Sequence, residues 1–173
     1  KLCGGLLTWK TMRCIESLTG LNDAALIEQS VVDCTTSAYE ALYLDTSIFH
    51  GSSGYPFHLV RRKVFDAFLL EQARRAGAVF FPQTAVAACD AEQGIVQSAD
   101  GRRFHARYLI GADGVHSRVR ASLPEAQAGK QHWRANLADA VEVMLPREAL
   151  PGRPFQPTIH SGYVKEGYAW VFP

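Results

Sequence analysis

The segment YLIGADGVHSRVR, residues 108–120, combines residue types that suit a phosphorylated ligand. An apolar run ends in small residues, and Asp113 and Gly114 follow before a helix that Ser117 would cap. A carboxylate at the end of a strand can accept hydrogen bonds from ribose hydroxyls, and a helix N-terminus favours a nearby phosphate. Gly114 permits the positive φ angle of a sharp turn. The alternative is an Asp-Gly turn that only joins a strand to a helix, and spacing alone does not decide between the two.

A second candidate stands at the start of a predicted helix over residues 61–76. Arg62 could hold a phosphate through its planar fork of donors, and Arg61 is the less favoured choice for that contact. Asp66 is predicted to have a structural role at the helix start, where an acid complements the helix dipole. The alternative is a basic helix start with Phe65 in the core and no ligand.

Two further segments could border a flat ligand. The adjacent Gly4 and Gly5 would let backbone amides lie against a ring or an anion. Cys3 beside them is interpreted as a small pocket residue rather than a redox group. Near the other end of the chain, strand alternation would put three rings on one face, either walling an apolar cavity or packing into a core: Tyr168, Trp170 and Phe172.

These four segments resemble motifs of the flavoprotein monooxygenase superfamily, and in particular of its geranylgeranyl reductase branch. GADGVHSRVR is similar to G-A-D-G-x-x-S-x-V-R, RKVFD to R-x-x-F-D, KLCGG to K-x-C-G-G, and GYAWVFP to G-Y-x-W-x-F-P. The resemblance implies FAD as the cofactor, bound by Arg62, Asp113, Gly114, Cys3, Gly4 and Gly5. It implies a substrate pocket formed by Tyr168, Trp170 and Phe172. No catalytic side chain is assigned, because a flavin carries such chemistry itself.

The resemblance implies that the intact protein is an FAD-dependent oxidoreductase. The Cys-Gly-Gly and aromatic runs favour hydride transfer from reduced FAD to a carbon–carbon double bond of a prenyl or other apolar substrate. One alternative is an aromatic hydroxylase, in which the reduced flavin reacts with oxygen. Another is a non-catalytic remnant or binding module that holds no FAD. NAD(P)H is a candidate electron donor.

The elements that must position these residues predict a mixture of α and β structure. Thr8 and Gly20 bound a first helix over residues 8–18, and a second helix is expected at 22–29. We further predict one or two strands at 38–50, a turn or mobile loop at 51–54, a strand at 78–81, a three-stranded meander at 84–112 and more sheet after 127.

The fold is therefore predicted to be a partial FAD/NAD(P)-binding fold of the glutathione-reductase type. Residues 1–37 and 61–123 are assigned to the FAD-binding domain, and residues 38–60 and 124–173 to a β-rich substrate-binding domain. The N-terminal βαβ unit with G-x-G-x-x-G, which these families use for the FAD pyrophosphate, does not occur in these residues. We expect an internal fragment that by itself binds FAD weakly or not at all.

Composition limits the partners. The chain has 47% hydrophobic and 20% charged residues and a net charge of +1, which argues against nucleic acid as the main partner. No apolar run is long enough to span a bilayer, so a cytoplasmic location is expected, with peripheral membrane contact left open for a lipid substrate. The four cysteines form no C-x-x-C pair and the six histidines have no metal-ligand spacing, so no metal site is predicted. Neither the oligomeric state nor the exact substrate follows from the sequence.

Overall fold

The computed structural model describes residues 3–150, 152 and 155–173. The chain divides into two compact units, Lys1–Ala78 with Ala140–Pro173, and Val79–Asp139. These units divide the chain at other places than the predicted FAD-binding and substrate-binding domains do. The functional division therefore stays a prediction. Within the described residues, no helix is both long and apolar enough to cross a membrane.

The first unit is built on a five-stranded sheet with the strand order β1-β3-β2-β7-β8. Its strands are β1 (Leu6–Leu7), β2 (Cys34–Tyr43), β3 (Thr46–Leu59), β7 (Thr158–Ser161) and β8 (Tyr168–Val171). Neighbouring strands run antiparallel, except β2 and β7, which are parallel. The predicted strand region 38–50 is thus confirmed as a hairpin.

The predicted turn at residues 51–54 is wrong. Gly51 and Ser52 lie inside β3 and pair with Tyr39 and Ala38 of β2. Two irregularities in the β2–β3 register absorb the mismatch between the strands. A Gly-Ser-Ser-Gly run is tolerated here because a bulged, twisted hairpin accommodates small residues in a strand.

Three helices flank this sheet in the sequence, namely α1 (Trp9–Thr19), α2 (Asp23–Glu28) and α3 (Arg62–Arg75). The Thr8 side chain accepts a hydrogen bond from the Thr11 N–H, and α1 ends at Gly20 with a φ of 73°. Asn22 caps α2 in the same way through the Ala25 N–H. All three predicted helices are confirmed within two residues, because their local start and stop signals are satisfied.

The buried core of this unit gathers apolar side chains from β1 and the three helices and from the segments that follow α2 and β3. Met12 and Leu26 are fully buried, and Phe68 and Leu69 pack partly buried against the cluster. Burying a side chain of this size contributes roughly 1.5–3 kcal/mol. The core consists of Leu7, Met12, Ile15, Leu26, Val31, Val32, Val60 and Phe65.

The second unit contains the predicted meander, and its three antiparallel strands are confirmed. They are β4 (Val86–Asp90), β5 (Ile95–Ser98) and β6 (Arg103–His105). β6 ends at His105, short of the predicted end of the meander at residue 112, because its partner β5 begins at Ile95, directly opposite His105. The strand predicted at 78–81 does not form. Phe81 instead packs its ring on Phe104 at 4.9 Å between centroids.

Sheet was predicted throughout residues 127–173, and this is only partly correct. β7 and β8 are present, but the chain before them forms α5 (Pro124–Ala128) and α6 (Lys130–Ala135), which follow the short α4 (Arg118–Ala121). A single 3₁₀ turn follows at Arg147–Ala149. The run from 125 to 135 is rich in Ala, Gln, Lys and Arg, which are strong helix formers.

Candidate functional site

The Asp113 turn in the second unit is held by a closed set of hydrogen bonds. Asp113 Oδ1 accepts from Ser117 Oγ at 2.5 Å, and Asp113 Oδ2 accepts from the Arg118 N–H at 2.6 Å. Ser117 Oγ in turn accepts from the Arg120 N–H at 3.0 Å. Ser117 is therefore the N-cap of α4, as predicted from the sequence.

The same bonds keep the Asp113 carboxyl ionised. The hydrogen bond from Ser117, followed by the one from the Arg118 backbone, lowers the pKa of Asp113 below its ordinary value. The side chain is exposed, and a carboxylate has about four lone-pair sites, of which these bonds use two. Asp113 can therefore accept further hydrogen bonds from a ligand's hydroxyl groups.

Glycines give the turn its shape. Gly114 has a φ of +85°, which residues with a side chain rarely adopt. A Cβ at Gly111 would lie 2.9 Å from Val119 Cβ, so the backbone at Gly111 approaches α4 closely. The expected contribution of a helix dipole is small, because α4 has only four residues. The carboxylate, rather than the helix terminus, is what this turn offers to a ligand.

Arg62 lies in the first unit, at the start of α3, with 22% of its side chain exposed. Its Nε and Nη2 both donate to Asp66 Oδ1, at 2.9 and 2.7 Å. Asp66 lies beyond the first turn of α3 and pairs with Arg62, so its predicted role beside the helix dipole is corrected to that of a positioning partner. Arg61 is bound instead to Asp33 through its backbone N–H and its guanidinium.

Cys3 and Gly5 adjoin Arg62. A hydrogen bond from the Gly5 backbone is the main cause that lowers the pKa of the Cys3 thiol; burial opposes it, and the Arg62 side chain adds to the lowering. Gly5 has a φ of +73°, and a Cβ there would lie 2.0 Å from the Val60 carbonyl oxygen. Only glycine fits at this position.

Gly4, near the start of the chain, contacts two aromatic residues near its end. A Cβ at Gly4 would lie 2.4 Å from Phe172 Cε2 and 2.7 Å from Trp170 Nε1. The backbone of the Gly-Gly turn therefore lies directly against both aromatic side chains. Trp170 is 6.3 Å from Phe172 and 5.9 Å from Tyr168 between ring centroids, and Tyr168 is 63% exposed.

The predicted site residues thus form two groups. In the first unit Gly4 contacts Trp170 and Phe172, Cys3 interacts with Gly5 and Arg62, and Tyr168 lies next to Trp170. Asp113 and Gly114 belong to the second unit. In the part of the chain that the structure describes, no cluster of three or more His, Cys, Asp or Glu side chains suits a metal ion.

Further aromatic side chains on β2 and β3 were not predicted from the sequence. Tyr39 stacks on Phe49 at 5.0 Å and meets Phe57 edge-on at 5.9 Å. The alternation of Tyr39, Ala41 and Tyr43 is the signal that could have indicated it. The missing information was the strand order that joins β2 to β7 and β8.

Comparison with known families shows which family the chain belongs to. Residues 4–156 match the model of a family described as FAD binding domain. An uncharacterized protein of Methanosarcina barkeri is 32% identical over 129 residues, which are 73% of this chain and 32% of that protein. The FAD-dependent monooxygenase idtM of Claviceps paspali is 32% identical over 75 residues, 43% of this chain and 15% of that protein.

Solved structures give the same picture. The tetrameric form of 2-methyl-3-hydroxypyridine-5-carboxylic acid oxygenase superposes with a TM-score of 0.56 at 27% identity, over 69% of this chain and 31% of that one. PqsL of Pseudomonas aeruginosa, a probable FAD-dependent monooxygenase, superposes with a TM-score of 0.61 over 99% of this chain and 47% of its own; at 17% identity this likeness concerns the fold alone. The predicted partial FAD-binding fold is confirmed.

The chain spans about a third of the length of the Methanosarcina barkeri relative and just under half of PqsL. The matches support FAD as the cofactor and the monooxygenase part of the sequence resemblance. They do not confirm its geranylgeranyl reductase branch.

Proposed function

Because the chain belongs to the FAD binding domain family, we propose that it contributes cofactor and substrate contacts to an FAD-dependent monooxygenase that hydroxylates an aromatic compound. When bound, FAD supplies the oxygen chemistry, and the protein supplies orientation, water exclusion and electrostatics. The observation that carries the proposal is the contact of Gly4 with Trp170 and Phe172. It joins a residue expected at the cofactor to residues expected at the substrate.

Asp113 is proposed to accept hydrogen bonds from the hydroxyl groups of the cofactor. The Asp113 carboxylate is ionised, exposed and oriented from two sides before any ligand arrives. A preorganised acceptor binds hydroxyl groups without a further ordering cost. Gly114 keeps the backbone beside it free of a side chain.

Gly4, Gly5 and Arg62 are proposed to contact the cofactor, and the aromatic side chains beside Gly4 to contact the substrate. Gly4 and Gly5 present bare backbone, which a planar ring can approach closely. Arg62 has a third nitrogen, Nη1, beyond the two that bind Asp66, and this nitrogen can donate to an anionic group. Trp170 and Phe172 exclude water from the apolar side.

A hydride transfer to a prenyl double bond is the second candidate. The GYAWVFP run supports it, since it resembles a reductase motif, and an apolar aromatic wall suits a prenyl chain as well as a ring. The matched relatives named as monooxygenases and oxygenases favour hydroxylation. A remnant without FAD is the third candidate. NAD(P)H as donor, a cytoplasmic location and peripheral membrane contact stay predictions.

The test uses the intact protein with FAD, reduced anaerobically by light. One portion receives ¹⁸O₂ and a panel of phenols and aminobenzoates, and another receives geranylgeraniol without oxygen. We expect an aromatic product that carries one ¹⁸O atom, and loss of that product in Trp170→Ala. Saturated geranylgeraniol without aromatic product would overturn the hydroxylase proposal in favour of the reductase. A protein that binds no FAD would overturn both enzyme proposals and support the third candidate, a remnant without FAD.

A further inference from the structure

The five-stranded sheet places four residues in one row across four strands. Phe49 of β3 pairs with Ala41 of β2, Ala41 pairs with Ile159 of β7, and Ile159 pairs with Trp170 of β8. Directly paired residues point to the same face of a sheet. Strands lie about 4.8 Å apart, so the row extends about 14 Å from Trp170 to Phe49.

Neighbouring rows add three further aromatic side chains to this face, Tyr39, Tyr43 and Tyr168. Tyr39 stacks on the Phe49 ring, with 26° between the planes. On the other side of the row, Tyr43 pairs with Ser161, and Ser161 pairs with Tyr168. None of these residues is Asp, Glu, Lys, Arg or His. The face therefore offers ring surfaces and a few hydroxyl groups, but no charge.

The opposite face of the same strands is polar. Glu40 pairs with His50 of β3 and with Thr158 of β7, and Leu42 pairs with His160. The Thr158 hydroxyl and His160 Nε2 are hydrogen-bonded at 3.1 Å. At these paired positions the two faces of the sheet therefore differ, with Phe49 and Trp170 on one face and Glu40 on the other.

The aromatic face is not part of the buried core. None of its residues belongs to the described core cluster, and Phe49 and Ile159 are 47% and 42% exposed. Isolated exposed rings are ordinary, but a contiguous apolar face marks a binding surface. This face is continuous with Trp170, and Trp170 and Phe172 are in contact with Gly4.

The row has a low point at Ala41. A methyl side chain stands between Ile159 and Phe49, so the middle of the row is shallower than either end. Gly51 has a similar role under Phe49, since a Cβ at Gly51 would lie 2.7 Å from Phe49 Cζ. The Phe49 ring therefore lies down over the strand and lengthens the flat surface.

We propose that this face extends the substrate site, and that it takes an elongated, uncharged substrate of three or four fused rings, with Ala41 as the residue that admits its length. The proposal rests on the proposed function, because it continues from the pocket at Trp170 and Phe172. The occupant is inferred from three properties of the face: its continuity with that pocket, its length and its lack of charge.

The test measures binding rather than turnover. Equilibrium dialysis of the intact protein compares phenol, with one ring, and estradiol, with four fused rings and no charge. Ala41→Leu fills the low point, and Ala38→Leu makes the same change on the opposite face of the same strand. Circular dichroism checks that both variants fold, and Phe49→Ser removes the far end of the row without adding bulk.

We expect Ala41→Leu and Phe49→Ser to weaken estradiol binding about tenfold or more, which corresponds to about 1.4 kcal/mol. Phenol binding should stay within about twofold in both variants, on the same scale. Ala38→Leu should change neither estradiol binding nor phenol binding. Equal losses of estradiol affinity in Ala41→Leu and Ala38→Leu would overturn the proposal. So would a dimer that Phe49→Ser dissociates, since a second copy would then cover the face.

The hydroxylase proposal and the extended-face proposal can each be refuted without the other. A protein that binds estradiol in the expected pattern but forms no ¹⁸O-labelled product from any aromatic compound refutes the hydroxylase and leaves the extended face standing. A protein that hydroxylates aromatic compounds with equal estradiol affinity in Ala41→Leu and the unsubstituted chain refutes the extended face alone.

Discussion

Ser117 Oγ donates a hydrogen bond to Asp113 Oδ1 at 2.5 Å while it accepts the Arg120 N–H as the cap of α4. One hydroxyl therefore both starts the helix and orients the carboxylate. The Asp113 turn is consequently a preformed acceptor, whose geometry does not depend on a ligand.

Replacing Ser117 should disturb both functions at once. We expect Ser117→Ala to destabilise the folded state by about 1 kcal/mol through loss of the cap. FAD affinity of the intact protein should fall as well, because Asp113 loses its orienting donor. Urea unfolding and flavin fluorescence quenching measure the two effects. Ser122→Ala removes a hydroxyl that donates only to the Val119 carbonyl and is the control. Equal FAD affinity in both variants would contradict the orienting role.

The Asp113 carboxyl should make the stability of the folded chain depend on pH in the acidic range. Its pKa is lower in the folded chain than the ordinary value of about 3.9, so the charged form stabilises the fold. This contribution is fully present above about pH 5 and is lost as the pH falls through the lowered folded pKa. At pH 7 the Asp113→Asn variant should therefore unfold at a lower urea concentration than the unsubstituted chain. The difference between the two urea midpoints should become smaller toward pH 3. A difference in urea midpoint that does not change with pH would show that the Asp113 charge is not the cause of the stabilisation.

Gly4 should not tolerate even a methyl group. Gly4→Ala places a Cβ within 2.4 Å of Phe172, so the ring or the turn must shift. Overpacking of this kind costs about 1–3 kcal/mol. We expect a lower melting temperature and a changed tryptophan emission spectrum from Trp170. Gly54→Ala is the matched control, because nothing lies within 4 Å of a Cβ there. Equal melting temperatures for the two variants would refute the close contact.

Cys3 should react faster with alkylating agents than an unperturbed thiol. Its pKa is lowered by the Gly5 backbone and, to a lesser extent, by Arg62, and only the thiolate is nucleophilic. We expect iodoacetamide to label Cys3 less rapidly at pH 7 in Arg62→Gln than in the unsubstituted chain, as measured by peptide mass spectrometry. Arg61→Gln breaks the pair with Asp33 instead and should leave the rate unchanged. A similar loss of rate in both variants would point to a general disturbance of α3.

Local signals were sufficient for part of this structure. Thr8 and Gly20 bound α1, and Ser117 caps α4, because a cap is formed by residues three or four positions apart. The meander at β4–β6 follows from short turns between short strands. The same local logic failed at residues 51–54, where pairing with β2 overrides the glycine and serine signals.

The sequence alone was sufficient to predict α1, α2, α3, the meander, the Asp113 turn and the resemblance of four segments to flavoprotein motifs, but not α5 and α6. Only the tertiary structure placed Gly4 against Phe172 and aligned Phe49 with Trp170, because those contacts depend on strand order and register. A hydrogen-bonded cap forms from neighbouring residues. A sheet face is complete only when strands distant in the chain have paired, and no single segment contains that information.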